Sequence, residues 1–211
     1  EFSTRLKKAV DTLALMPQKL VNDTTEAELT VLRARLSLLQ GNIAQARQQF
    51  MQLVADYTPV DPEAIVDSAR LAFALGEMKQ ADAFLAMLKD FIPAKADLTG
   101  ECQRLTAQYL LQQEQQLRGQ IRQWNQAGME QAQTGKPEQA LTLLRQAFVF
   151  MPCNAALVLN LLQTLTQLPA DKTLKPLAKS AMAALEFSTK SAANQQRLAQ
   201  LLPQLPQLYL D

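Results

Sequence analysis

The feature that most constrains this chain is a pattern of glycines, small residues and large apolar residues that returns in one frame. In segment 121–154, IRQWNQAGMEQAQTGKPEQALTLLRQAFVFMPCN, Trp124, Ala127 and Gly128 fall on a first helix and Gly135 at a turn. Ala140, Leu144 and Ala147 then fall on a second helix, which Pro152 ends. The sizes have a physical reason. Gly128 and Ala140 are small where two antiparallel helices cross, and Ala147 is small where a following pair stacks. A proline such as Pro152 cannot continue a helix. A helix pair of this size cannot bury its apolar face alone, so such a frame predicts several pairs stacked in series.

The frame returns upstream. Ala69, Gly76, Ala81, Leu85, Leu88 and Pro93 take the corresponding places in 62–95, and Ala34, Gly41, Ala46, Phe50 and Leu53 do so in 27–60, with Pro59 one residue late. Segment 155–188 continues with Leu161, Leu162, Leu165, Leu174, Ala178 and Ala181, but Pro169 stands where the turn glycine would be and Glu186 where the last proline would be. Between the second and third repeats, 98–120 has no proline and carries Leu105, Tyr109, Leu110 and Leu117 at helical spacing. This predicts an extra helix that runs on into the third repeat as one rod, with Gly119 a candidate bend. Another helix is expected over 3–20. A C-terminal cap is expected over 189–211, with a helix near 191–202 that starts at a Ser or Asn cap and ends at Pro203 and Pro206.

Composition narrows the chemistry. Leu, Ala and Gln dominate, with 27 glutamines, and Val, Ile, Tyr and Trp are scarce, which is helix-forming chemistry. There is no histidine, so no imidazole base, nucleophile activator or metal ligand is available within this chain. Six glycines form no phosphate-cradling loop after a strand. The net charge of +1 argues against a nucleic-acid footprint, and no apolar stretch is long enough to span a bilayer. The expectation is a non-enzymatic protein with no cofactor, no metal, no nucleic-acid partner and no membrane segment. Cys102 and Cys153 stand 51 positions apart and read as thiols rather than a disulfide, which points to a reducing cytoplasm. The chain opens on Glu1-Phe2 without Met, the residues a common cloning site encodes. That suggests a segment of a longer protein, so an upstream domain or leader, and with it a periplasmic setting, stays open.

The spacing of Trp124, Gly128, Gly135, Ala140, Ala147 and Pro152 resembles the tetratricopeptide-repeat family, W-x2-L-G-x2-Y, then A-x3-F, then A and P, with Ala127 for the Leu and Gln131 for the Tyr. The resemblance covers roughly 25–188. It implies an all-α fold, a right-handed superhelical solenoid of about ten helices over one domain, 1–211. It also implies a scaffold that binds a partner protein or peptide on its concave face. More narrowly, the run from Asn125 to Gln163, behind a Gln-rich helix, looks like the C-terminal repeat region of bacterial response regulators. On that reading the chain would be the output module of a two-component signal-transduction protein.

In the family the groove is lined by the first helix of each repeat. Carrying that frame over gives Glu28, Val31, Arg35, Leu38 and Leu39, then Glu63, Val66, Arg70, Phe73 and Ala74. The third and fourth repeats give Arg122, Asn125, Met129, Ala132 and Gln133, then Ala156, Leu159, Gln163, Thr166 and Gln167. The residues singled out for partner binding are Arg35, Arg70, Phe73, Asn125, Met129 and Gln163. Arg35 and Arg70 occupy the same repeat position, two guanidinium forks suited to a carboxylate; the alternative is that they pair with Glu28 and Glu63 and merely solvate the face. Asn160 reads equally well as a packing residue. Trp124 and the methionines read as packing, and Glu26, Glu28, Asp61 and Glu63 as acids that favour helix N-termini. The leucine-rich tail after Arg197 either folds back over the last repeat or packs on a second copy as a homodimer.

Overall fold

A computed structural model describes residues 23–91, 97–188 and 191–210 of the protein. The helix expected over 3–20, Pro93 and the first two residues of the expected cap lie outside them. Among the described residues there is no strand, and the all-α expectation holds. Among the described residues ten helices follow one another: α1 (Asp23–Leu39), α2 (Ile43–Asp56), α3 (Pro62–Ala74), α4 (Met78–Phe91), α5 (Leu98–Gln133), α6 (Pro137–Phe150), α7 (Ala155–Thr166), α8 (Lys175–Phe187), α9 (Ala192–Leu201) and α10 (Gln207–Leu210). The sequence reading treats 1–211 as one repeat domain. By contact, the chain groups into two compact units, one of residues up to Phe73 with Glu77–Glu114, the other of Ala74–Gly76 with the chain from Gln115 onward.

Three of the helix-to-helix turns have the same construction. Gly41, Gly76 and Gly135 have φ of 79°, 78° and 76°, the left-handed region that only glycine enters without steric cost. The residue after each glycine donates its N–H to a carbonyl five positions back: Asn42 to Ser37 at 2.8 Å, Glu77 to Ala72 at 2.9 Å and Lys136 to Gln131 at 2.9 Å. Gly41 and Gly135 themselves donate to Leu38 at 3.0 Å and Ala132 at 3.3 Å. This pair of bonds is the Schellman ending, which satisfies carbonyls that the last helical turn leaves without a partner. The bend at Gly41 folds the chain straight into the next helix, so α1 packs on α2.

The residues at the repeating frame form the cores. Ala46, Phe50 and Leu53 of α2, Ala81, Leu85 and Leu88 of α4, and Ala140, Leu144 and Ala147 of α6 are all buried. Gly128 of α5 lies against Leu144, where an added Cβ would stand 2.7 Å from the Leu144 side chain, and Trp124 stacks on Phe150 at a centroid separation of 6.1 Å. The extra helix over 98–120 and the first helix of the third repeat are one element, the 36-residue α5, unbroken through Gly119. It is the longest helix, yet no helix among the described residues is long and apolar enough to cross a membrane. Cys102 and Cys153 are not joined by a disulfide.

The fourth pair turns differently. With Pro169 in place of glycine, α7 and α8 are joined by 167–174, which includes a 3-10 turn at Lys172–Leu174. Asp171 caps that turn by accepting from the Thr173 N–H at 2.8 Å, and these bonds to Thr173 hold its carboxyl below the usual carboxylate range. Helix α9 starts where expected, with Ser191 Oγ accepting from the Asn194 N–H at 3.2 Å. The tail then folds back over the fourth pair: α9 packs on α7, α10 packs on α8, and Leu201, Leu205 and Tyr209 are buried. The Tyr209 hydroxyl accepts from the Asp171 N–H at 3.1 Å, which ties the end of the tail to the loop that lacks a glycine.

The turn glycines should not be equally replaceable. At Gly41 an added Cβ meets nothing within 4 Å, whereas at Gly76 it would stand 2.9 Å from the Cys153 carbonyl oxygen. Gly41→Ala should therefore cost only the left-handed backbone term, about 1 kcal/mol. Gly76→Ala adds a backbone displacement and should cost roughly 3 kcal/mol. Urea unfolding of the two variants checks the order.

Candidate functional site

Within the first unit, α1, the α2–α3 connection and the start of α3 enclose a cleft of about 310 Å³ lined by Glu28, Val31, Leu32, Tyr57, Asp61, Glu63, Ala64, Asp67 and Ser68. Helix chemistry explains much of this lining. Pro62 opens α3, and Asp61 Oδ1 accepts from the Glu63 and Ala64 N–H groups at 3.0 and 2.9 Å, so a carboxylate stands at the helix start. Glu63 lies in the first turn, where the helix dipole favours an acid, and Asp67 follows one turn later on the same face. Glu28 reaches the cleft from α1. Burial raises the phenol of Tyr57 above its ordinary value, with the Asp61 and Glu28 carboxylates adding to the effect. The Tyr57 and Ser68 hydroxyls are buried with no hydrogen-bond partner among the described residues.

The arginines singled out from the sequence are both held by carboxylates, though neither by Glu28 nor Glu63. Arg35 Nη1 donates to Asp67 Oδ1 at 3.1 Å across the α1–α3 pair. Arg70 Nε donates to Glu114 Oε1 at 2.5 Å, and Glu114 is 3% exposed. Phe73 is buried. Arg47 of α2 pairs with Glu77 in the α3–α4 turn. Of the acids that line the cleft, sequence reasoning placed Glu28 and Glu63 on the groove frame, read Asp61 only as a helix-start residue and passed over Asp67. The spacing of Glu63 and Asp67, like charges four apart on one helix face, was the available sign.

Within the second unit the structure brings Asn125 and Gln163 into one polar network and leaves Met129 half-buried outside it. Asn160 Nδ2 donates to Asn125 Oδ1 at 2.9 Å. Arg197 of α9 donates through Nη2 to Asn160 Oδ1 at 2.7 Å and to Gln163 Oε1 at 2.6 Å. Desolvation lowers the Arg197 pKa, and no described carboxylate pairs with it. Of the amides expected to face a partner, Gln163 is thus bound to α9 and Asn125 to Asn160 of α7. Ala140 and Ala147 are fully buried, Gly135 is exposed at its turn, and Pro152 is half-buried after α6.

Comparison of the chain with protein-family models, with curated proteins and with solved structures finds no significant match to any of them.

Two variants test these polar contacts. Arg70→Met should destabilise the chain by roughly 2 kcal/mol because Glu114 is left buried without its partner, and adding Glu114→Leu should restore most of that loss in urea unfolding. Arg197→Met should cost about 1–2 kcal/mol through the two amide oxygens it abandons, and should raise hydrogen exchange across 192–210 more than across α6.

Proposed function

We propose that this chain is a non-catalytic interaction scaffold of the tetratricopeptide type, a right-handed superhelix of paired helices that takes an extended segment of a partner protein along the first helix of each pair. The observation that carries the reading is the left-handed glycine turn repeated at Gly41, Gly76 and Gly135. One turn geometry at one frame position favours successive pairs related by a similar rotation, the arrangement from which repeat proteins build concave surfaces. The buried small residues at the same frame, Ala46, Ala81 and Ala140, support it.

The first-helix positions supply the binding chemistry on this reading. Glu28, Val31 and Glu63 line a cleft, with Arg35 anchored beside it to Asp67. Arg70 keeps Nη donors beyond its bond to Glu114, and Phe73 is buried on the same helix. In the second unit Asn125, Met129 and Gln163 take the equivalent places, with Arg197 already engaged there. The absence of histidine from the sequence fits a surface that recognises rather than transforms its partner.

A photo-crosslinking amino acid placed singly at Glu28, Glu63, Gln52 or Lys79 tests the reading in a lysate of the source organism. Partner adducts should form at the first-helix positions Glu28 and Glu63. They should be at least about fivefold weaker at the second-helix positions Gln52 and Lys79. Equal labelling of all four, or stronger labelling of the second helices, would rule out the first-helix surface.

A further inference from the structure

We propose that the cleft between α1 and α3 is a receptor for a lysine or arginine side chain of a partner segment, so that the scaffold selects basic peptides. The inference rests on the scaffold reading above and adds the chemistry of the occupant. Four carboxylates, Glu28, Asp61, Glu63 and Asp67, line one cleft, and Asp67 alone among them has a cationic partner among the described residues, Arg35. Helix-start physics accounts for Asp61 and in part for Glu63. It does not account for Asp67 or, against the expectation from sequence, for Glu28: each lies in the second turn of its own helix, and both face the same space.

A second observation points to a ligand with hydrogen-bond donors. Ser68 lines the cleft at 1% exposure, and its hydroxyl finds no partner; the Tyr57 hydroxyl beside it is likewise buried and unsatisfied. A buried hydroxyl without a partner is costly, so a site that leaves two of them in one cleft is completed when something donates to them. Among the described residues no three carboxylates converge as metal ligands, so a bare metal ion does not suit this charge. An ammonium or guanidinium does, because it brings three to five N–H donors and no acceptor. Its N–H groups can donate to Ser68 Oγ and Tyr57 Oη. Val31, Leu32 and Ala64 supply apolar walls for the methylene stem of such a side chain. A cleft of about 310 Å³ admits one long side chain rather than a folded surface.

The test uses the full chain and fluorescent decapeptides that differ only at three central positions, all Lys, all Arg, all Gln or all Glu. Lys and Arg peptides should bind about tenfold or more tightly than Gln, with Glu weakest, and their affinity should fall as salt rises from about 0.05 to about 0.5 M. Glu28→Gln with Glu63→Gln, both exposed positions, should remove most of the Lys preference. Asp90→Asn with Glu138→Gln, outside the cleft, should leave it unchanged. Ser68→Ala should weaken Lys binding about threefold, and the Tyr57 ring resonances should shift on addition of the Lys peptide in the parent chain. Equal binding of Lys and Gln peptides, no binding of either, or full Lys preference in the Glu28/Glu63 variant overturns the proposal. The scaffold reading is judged separately, by whether crosslinks concentrate on the first helices whatever the charge of the captured segment.

Discussion

The left-handed glycine turn is the constraint from which the rest of this structure follows. A helix ends with carbonyls that lack partners, and an L-residue takes the φ near +78° that lets the chain satisfy them while reversing direction only at a steric cost. With glycine there, the reversal takes about three residues, and the second helix must lie antiparallel against the first. Once that is imposed, the residues at the crossing have to be small, which is why Gly128 meets Leu144 and why Ala46, Ala81 and Ala140 are buried. The repeat seen in the sequence is therefore the repeat of one turn, and the core residues are its consequences.

The fourth pair shows what happens without that device. Pro169 cannot supply the left-handed residue, and the connection lengthens into a 3-10 turn capped by Asp171. The longer loop leaves a backbone N–H at Asp171, and Tyr209 from the tail accepts it. A pair at the end of a series also has one uncovered face, and here the leucines of the tail cover it, so Leu201, Leu205 and Tyr209 complete a core that the fourth pair could not complete alone. Arg197 fixes the register of that cover through Asn160 and Gln163. Amides accept from a guanidinium without adding a buried negative charge, which keeps the lock polar at the cost of partly desolvating one cation.

What could be read from the sequence was what local rules decide. The turn glycines, the small residues of the crossing, the Ser191 cap and the continuous helix through 98–133 all follow from residues close together in the chain. The partners of the arginines could not be read in the same way. Arg35 reaches Asp67 over 32 positions and Arg70 reaches Glu114 over 44, and each pairing depends on which helix faces which and at what register. Glu63 looked as good a partner for Arg70 as Glu114 does, because sequence spacing carries no information about the depth at which α5 buries one of its few acids. The same gap hid the cleft: Tyr57, Asp61 and Ser68 come from a connection and two turns of one helix, and only the approach of α1 turns them into one surface.

The sign of that cleft has its origin in capping. Helix α3 begins with a carboxylate cap and an acid in its first turn, both favoured by the exposed N–H groups and the positive end of the helix dipole. Helix α7, the corresponding first helix of the fourth pair, is capped instead by the neutral amide of Asn154, which accepts from the Leu157 N–H at 3.0 Å. Both caps satisfy the helix, so folding alone does not choose between them. The choice matters for what approaches the surface: an acid cap adds a charge to whatever groove the helix start borders, and an amide cap adds none. In the first unit that charge lines the same cleft as Glu28 and Asp67 from other turns. In the second unit the neutral surroundings of Asn125, Asn160 and Gln163 suit the chain's own Arg197. Two units built by the same turn thus present different electrostatics, and the difference lies in residues the fold leaves undetermined.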